Sequence, residues 1–248
     1  MTSAFPDHFS SVADRYAQFR PGYPSALFTW LATVAPATDR VWDCATGSGQ
    51  AAVRLAAHFR QVIATDASAN QIASAEPRPN IDHRTAPAEE SGLADGSVDL
   101  ITVAQALHWF DLTGFYREAR RVLRPGGAIA VWSYGLLTVS PQIDAVVTNL
   151  YAETLAGDWP FERRHVESGY ADLPFPFEPL EAPPFAMEAE WALTDLMGYL
   201  GTWSAVRRHR ERTGCDPLAA VARGLRDIWG DPEQPRLVRW PLALRVGR

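Results

Sequence analysis

Asp43-Cys44-Ala45-Thr46-Gly47-Ser48-Gly49 has the composition of a ligand-holding turn. Small residues at alternate positions let the backbone turn tightly and approach a ligand closely. The helical stretch that begins at Gln50 offers unpaired N–H groups at its amino end. A dinucleotide fingerprint would read G-x-G-x-x-G with no acid ahead of it. Here Asp43 precedes the turn, and the pattern is D-x-A-x-G-x-G. One candidate strand further on, Asp66 follows Val62-Ile63-Ala64-Thr65, with Ala67 and Gln71 just behind it. A carboxylate at a strand tip can accept both hydroxyls of a ribose. Ala88-Glu89 follows a third apolar run, where the glutamate suits either a ligand contact or a helix start favoured by the dipole. Gln105-Ala106-Leu107-His108-Trp109 leaves a fourth. There His108 could act as a base or touch a substrate, and Trp109 could wall a pocket.

These stretches need elements to hold them. Apolar runs at Arg40 to Cys44, Gln61 to Thr65, Ile81 to Thr85, Val98 to Ala104 and Ala128 to Ser133 predict strands. Helical patterns lie between them at Gln50 to His58, Ser68 to Ala75 and Leu112 to Leu123, with a short turn near Pro87 to Gly92. Repeated βα units imply a parallel sheet with helices on both faces. In such a sheet ligands bind beyond the carboxyl ends of the strands, where the strand order reverses. Residues 7 to 35 read as two helical pieces broken at Arg20-Pro21-Gly22-Tyr23-Pro24. Residues 136 to 185 are proline-rich and aromatic, an insertion expected to cover the strand ends as a lid. One helix is expected from Leu193 to Arg212, and Arg236 to Arg245 is expected to return as an edge strand, where Pro241 is tolerated.

The resulting organisation is one domain. Residues 1–35 form a helical cap, 36–135 the ligand-binding core, 136–212 the lid and substrate region, and 213–248 complete the sheet. A net charge of −6 makes duplex nucleic acid a poor partner. No apolar run is long enough to span a bilayer, so no membrane role is expected. Cys44 and Cys215 make no disulfide framework and have no metal-ligand spacing, which fits a reducing cytoplasm and no metal. All 23 basic residues are arginine, which excludes Schiff-base and P-loop chemistry built on lysine. The partner expected is a small molecule, with monomer and homodimer both open.

The order of motifs from Asp43 to Gly127 resembles the class I S-adenosylmethionine-dependent methyltransferases of the type 11 group. That resemblance implies a Rossmann-like, doubly wound, mostly parallel seven-stranded sheet with S-adenosylmethionine as cofactor. It implies cofactor contacts from Asp43, Ala45, Gly47, Gly49, Asp66, Ala67, Gln71, Ala88, Glu89, Gln105 and Ala106. The family usually has glycine where this chain has Ala45, and a methyl group is tolerable there if φ is negative. The opening Phe9 to Pro24 and the stretch Trp159-Pro160-x-x-Arg163-x-His165, with Thr202-Trp203-Ser204 beyond it, are similar to trans-aconitate methyltransferase-like proteins. In that group the amino-terminal helix closes over the cofactor, which implies that Tyr16 and Arg20 approach the methionine carboxylate.

Methyl transfer asks mainly for alignment in a dry pocket, and orientation alone supplies about 7–11 kcal/mol of a barrier. A carboxylate acceptor is already ionised and needs cations rather than a base. Arg163, Arg164, His165, Arg207 and Arg208 could hold it, and Trp109 could line the substrate site. A protonated acceptor would instead suit a neutral His108 as catalytic base. Two rival readings remain at this stage: a protein that binds S-adenosylmethionine without catalysis, and a nicotinamide-dependent oxidoreductase. The second is disfavoured by Asp43 and by the absence of lysine.

Overall fold

The computed structural model describes residues 21–248. Tyr16, Arg20 and the first of the two amino-terminal helical pieces lie outside the described residues. The second piece is helix α1, Ser25–Val34, which enters after Pro24 and buries Leu27, Phe28 and Leu31.

The core alternates as the sequence predicts: β1 Arg40–Cys44, α2 Gln50–Leu55, β2 Gln61–Asp66, α3 Ala69–Ala73, β3 Ile81–Thr85, β4 Val98–Ala104, α4 Leu112–Val122 and β5 Leu123–Tyr134. Pro87 to Gly92 supplies a single turn, closed by Glu90 N to Pro87 O at 3.3 Å. Strand β5 starts five residues earlier than its apolar run, because the register shifts between Val98 and Leu100 and lets Leu123 pair with Val98.

With β6 Pro179–Leu180, β7 Ala186–Trp191 and β8 Arg236–Gly247, the strands run β3-β2-β1-β4-β5-β8-β6, a seven-stranded path, and an eighth strand, β7, pairs with β8 off that path. Strands β1 to β5 are mutually parallel, while β8 is antiparallel to its neighbours. Successive side chains leave a strand on opposite faces, so each strand feeds two cores. Val41, Leu100, Ala130 and Trp132 meet α1 and α2 on one side. Trp42, Ile101, Val103 and Ile129 meet Phe115, Ala119 and Val122 of α4 on the other.

The later half departs from the sequence reading in four places. The proline-rich insertion is partly helical, with α5 Pro141–Asn149 and α6 Arg163–Glu167. The helix expected over Leu193 to Arg212 is two, α7 Leu193–Gly201 and α8 Ser204–Thr213. The break comes where Thr202 Oγ1 turns back to donate to Tyr199 O at 2.6 Å and Trp203 packs against Tyr151 and Trp159. Helix α9, Leu218–Trp229, and strands β6, Pro179–Leu180, and β7, Ala186–Trp191, are additional.

Finally, β8, Arg236–Gly247, is not an edge strand: it pairs β5 on one side and β6 and β7 on the other. Pro241 is tolerated there for a geometric reason. Leu242 N donates toward β7, to Phe185 O at 2.9 Å. Backbone donors alternate sides along a strand, so the N–H that Pro241 lacks would face β5, just before that ladder begins at Leu242 and Tyr134.

Candidate active site

The turn between β1 and α2 is tied from behind. Asp43 pairs in register with Thr102 of β4, and its Oδ1 accepts from Thr102 Oγ1 at 2.7 Å. Its Oδ2 accepts from Thr46 Oγ1 at 2.5 Å. Burial pushes the Asp43 carboxyl up to about 6, and the two hydroxyl donors partly offset that rise. Asp43 therefore fixes the turn from inside and is itself buried. Thr102 is a partner the sequence reading missed; the signal available for it was the strand register.

Asp66 braces the other side. Its Oδ2 accepts from Gly47 N and its Oδ1 from Ser68 N, each at 2.8 Å. Ala67 is exposed beside it, and Gln71 Oε1 lies 3.8 Å from where a Cβ on Gly47 would stand. The backbone passes through φ +54° at Ala45, +59° at Gly47 and +89° at Gly49. The condition under which a methyl group at Ala45 would be tolerated without strain, a negative φ, is therefore not met. An L-residue in this region costs about 1–2 kcal/mol, and alanine is the smallest side chain that incurs it.

Ala88 is buried. Glu89 Oε1 accepts from Asp111 N at 2.9 Å, at the start of α4. Gly114 makes room for that contact, since a Cβ there would lie 2.9 Å from Glu89 Cγ. The dipole reading of Glu89 therefore holds for one oxygen, although the helix it serves is α4.

At the end of β4, Gln105 adopts φ +57°. Its N donates to Trp132 O at 2.9 Å and its Nε2 to Tyr134 O at 3.0 Å. Its Oε1 is buried with no partner among the described residues, and Ala106 beside it is buried. An unmatched buried acceptor costs about 1–3 kcal/mol. Together with a strained backbone at the point where strand order reverses between β1 and β4, it suits a ligand carrying N–H or O–H groups.

His108 and Trp109 follow on a 3-10 turn, Leu107–Trp109, with ring centroids 4.7 Å apart. Helix α6 packs on this turn and on β5. His108 Nδ1 lies 3.0 Å from the Tyr170 hydroxyl. Burial first, then the charges of Arg163 and His165, hold His108 down at about 3, so it is neutral at physiological pH. Arg163 donates from Nε to Tyr151 Oη at 2.9 Å, and its guanidinium lies 5.1 Å from the Trp159 ring centroid. No carboxylate stands within ion-pair distance of Arg163 among the described residues.

Of the five cations proposed from sequence, Arg163 and His165 therefore act on His108. His165 also meets Asp172 at 2.7 Å. Arg164 lies over Phe161, Arg207 faces Glu211 at 4.0 Å, and Arg208 Nη1 donates to Asp158 O at 3.3 Å. Tyr151 and Tyr170 were missed, because their partners lie 12 to 62 residues away in the chain.

The methyltransferase domain family matches residues 42–131, the span from the Asp43 turn through β5. A Dictyostelium discoideum protein named as a methyltransferase is 39% identical over 204 residues, covering 81% of this chain and 78% of its own length. An uncharacterised methyltransferase of Mycobacterium tuberculosis is 36% identical over 127 residues; the match spans 50% of this chain and about half (51%) of that relative. A solved structure from Anaeromyxobacter dehalogenans, described as a type II methyltransferase, is 55% identical with a TM-score of 0.89, covering 93% of this chain and 98% of that one. The nicotinamide-dependent reading falls with these matches. With its Rossmann-like sheet, its acidic turn and its relatives, the chain belongs to the class I S-adenosylmethionine-dependent methyltransferases.

Proposed function

We propose that the enzyme methylates a small anionic acceptor, a carboxylate, on oxygen. The observation that carries this reading is Arg163. It is stacked on Trp159, bonded to Tyr151, without an acidic partner among the described residues, and close enough to bias His108. An arginine held this way can bind a carboxylate bidentately.

When bound, S-adenosylmethionine supplies a methyl group on a positively charged sulfur. Asp66, at the tip of β2 beside the turn, would take the ribose hydroxyls. The backbone at Gly47 and Gly49 and the unmatched Gln105 Oε1 would hold the methionine end, and Ala88 and Glu89 the adenine end. Asp43 acts on this site through the turn it pins. An ionised acceptor has no proton for the protein to remove. What remains for the chain is to exclude water, which Trp109 and Trp159 help to do, and to hold the acceptor with Arg163 and His165. The acceptor is a small molecule rather than nucleic acid, and the cytoplasm is the compartment that fits the cysteine content. The region 136–212 serves as the substrate side of a single domain.

The test is production of S-adenosylhomocysteine from S-adenosylmethionine with a panel of small polycarboxylates, trans-aconitate included, beside matched alcohols, phenols and amines. Turnover confined to the carboxylates supports the reading. Arg163→Gln should then raise KM for the carboxylate by about 10- to 100-fold, the loss of a charged bidentate contact, with cofactor affinity unchanged. Turnover confined to neutral acceptors sinks it. Cofactor binding with the whole panel silent would favour a binding protein without catalysis.

A further inference from the structure

Tyr170 enters the sequence reading only as one aromatic of the 136–185 insertion, yet the fold constrains it closely. It is fully buried at φ +64°, directly after Gly169 at φ +60°. Glycine adopts the left-handed region freely, but a tyrosine there is a strained residue that its surroundings must enforce. The enforcement is visible. Arg245, on β8, donates to the carbonyl oxygens of both Tyr170 and Leu173. Tyr170 N donates to His165 O at 2.7 Å, which closes the end of α6. All of this delivers one hydroxyl to one ring nitrogen, Nδ1 of His108 at 3.0 Å.

Which group donates follows from elimination. Nδ1 of His108 is the one acceptor within reach of the Tyr170 hydroxyl among the described residues. If Nδ1 carried the proton, the phenolic O–H would point at it and find no acceptor, in a fully buried position. That arrangement forfeits a buried donor, which proteins rarely tolerate. So Tyr170 donates, Nδ1 accepts, and the ring proton sits on Nε2. No described residue takes that Nε2 proton.

We propose that Tyr170 is a positioning residue that locks His108 in the Nε2–H tautomer, so that His108 serves the acceptor as a hydrogen-bond donor and not as a base. The acceptor class this suits is one already ionised, so the proposal rests on the carboxylate reading and sharpens it. Arg163 supplies the charge and His108 a directed neutral donor. No proton changes hands in the transfer: one carboxylate oxygen forms the bond to carbon, the carbon–sulfur bond breaks, and its electron pair stays on sulfur.

Ring-nitrogen NMR of protein labelled with 15N-histidine, assigned by comparison with His108→Gln, reads the tautomer without any substrate. The wild type should show an unprotonated Nδ1 and a protonated Nε2 for His108, unchanged from pH 5 to 8. Tyr170→Phe keeps the ring and removes the hydroxyl, and should leave a mixed tautomer with a melting temperature close to wild type. A protonated Nδ1 in the wild type, or the same tautomer in Tyr170→Phe, overturns the proposal. If Tyr170→Phe does not fold, the wild-type spectrum still decides.

A second arm uses the carboxylate that the panel identifies. His108→Gln keeps a donor near the Nε2 position and should retain at least about tenfold more kcat than His108→Ala, the scale of one neutral hydrogen bond. Equal loss in both variants would mark a base. Should no carboxylate be methylated, the carboxylate reading fails by itself and the tautomer spectrum still judges Tyr170.

Discussion

Asp43 shows how one buried side chain can be legible in type and spacing while one of its partners is not. Its type and spacing marked the turn because tight turns use local chemistry: an acid, then small residues, then a helix start. Its bond to Thr46 is local, but its bond to Thr102 depends on β4 lying beside β1, which no local pattern states. Ala45 is the converse case, since the sequence flagged the departure from glycine but not the sign of φ. Tyr170 was legible only as one aromatic of the insertion, its partner being reached only after the insertion folds back.

Asp43 also makes a pH prediction. Its folded-state carboxyl lies near 6, above the ordinary 3.8. The stability tied to its protonated form is fully present below about 3.8 and is lost as pH rises through about 6. Across that window the change is at most about 3 kcal/mol, at 1.36 kcal/mol for each pH unit. Asp43→Asn should flatten this dependence, so that its urea stability relative to wild type improves between pH 4 and 7. A constant gap between the two proteins across that range would contradict the raised value.

At the scale of elements, the strands of the first half read clearly because parallel strands buried on both faces become continuous apolar runs. Residues 136 to 168 did not, because prolines and aromatics interrupt the period. Helix α5 buries only Ile143 and Val147, yet Pro141 at its first turn was a usable start signal. This insertion is fastened to α8 by Asp158, which ends a 3-10 turn, Ala156–Asp158. Asp158 accepts from His209 Nδ1 at 2.8 Å and from Arg212 Nε and Nη2, both at 2.8 Å. Those partners, Arg212 foremost, hold the Asp158 carboxyl down at about 2. Asp158→Asn should loosen the insertion from α8. Because Arg212 stays in water when its partner is lost, the cost should be about 1–2 kcal/mol, less than for a fully buried pair. That predicts a melting temperature lower by a few degrees, with KM for the acceptor affected more than cofactor affinity. An unchanged melting temperature and an unchanged KM would show that the fastening is cosmetic.

Across the whole molecule, β8 decides how the parts behave together. Its second half pairs β5 and β6, and its first half pairs β7, so the sheet behind the cofactor turn and the layer carrying α7 to α9 share one strand. Neither layer can unpair without disrupting the other's ladder. Loss of far-ultraviolet ellipticity and of tryptophan fluorescence should therefore coincide on heating, although the tryptophans are concentrated in the second half. Two separated transitions would show that the layers are independent. The same strand also limits what variation the site can explore. A Cβ on Gly169 would stand 2.6 Å from the Ala243 Cβ of β8, in a backbone conformation that disfavours side chains. Position 169 therefore has almost no freedom while alanine occupies 243. In a library that randomises both positions, survivors bearing a side chain at 169 should be confined to those with glycine at 243, a coupled inheritance between two residues that neither touch the cofactor turn nor belong to the acceptor pocket.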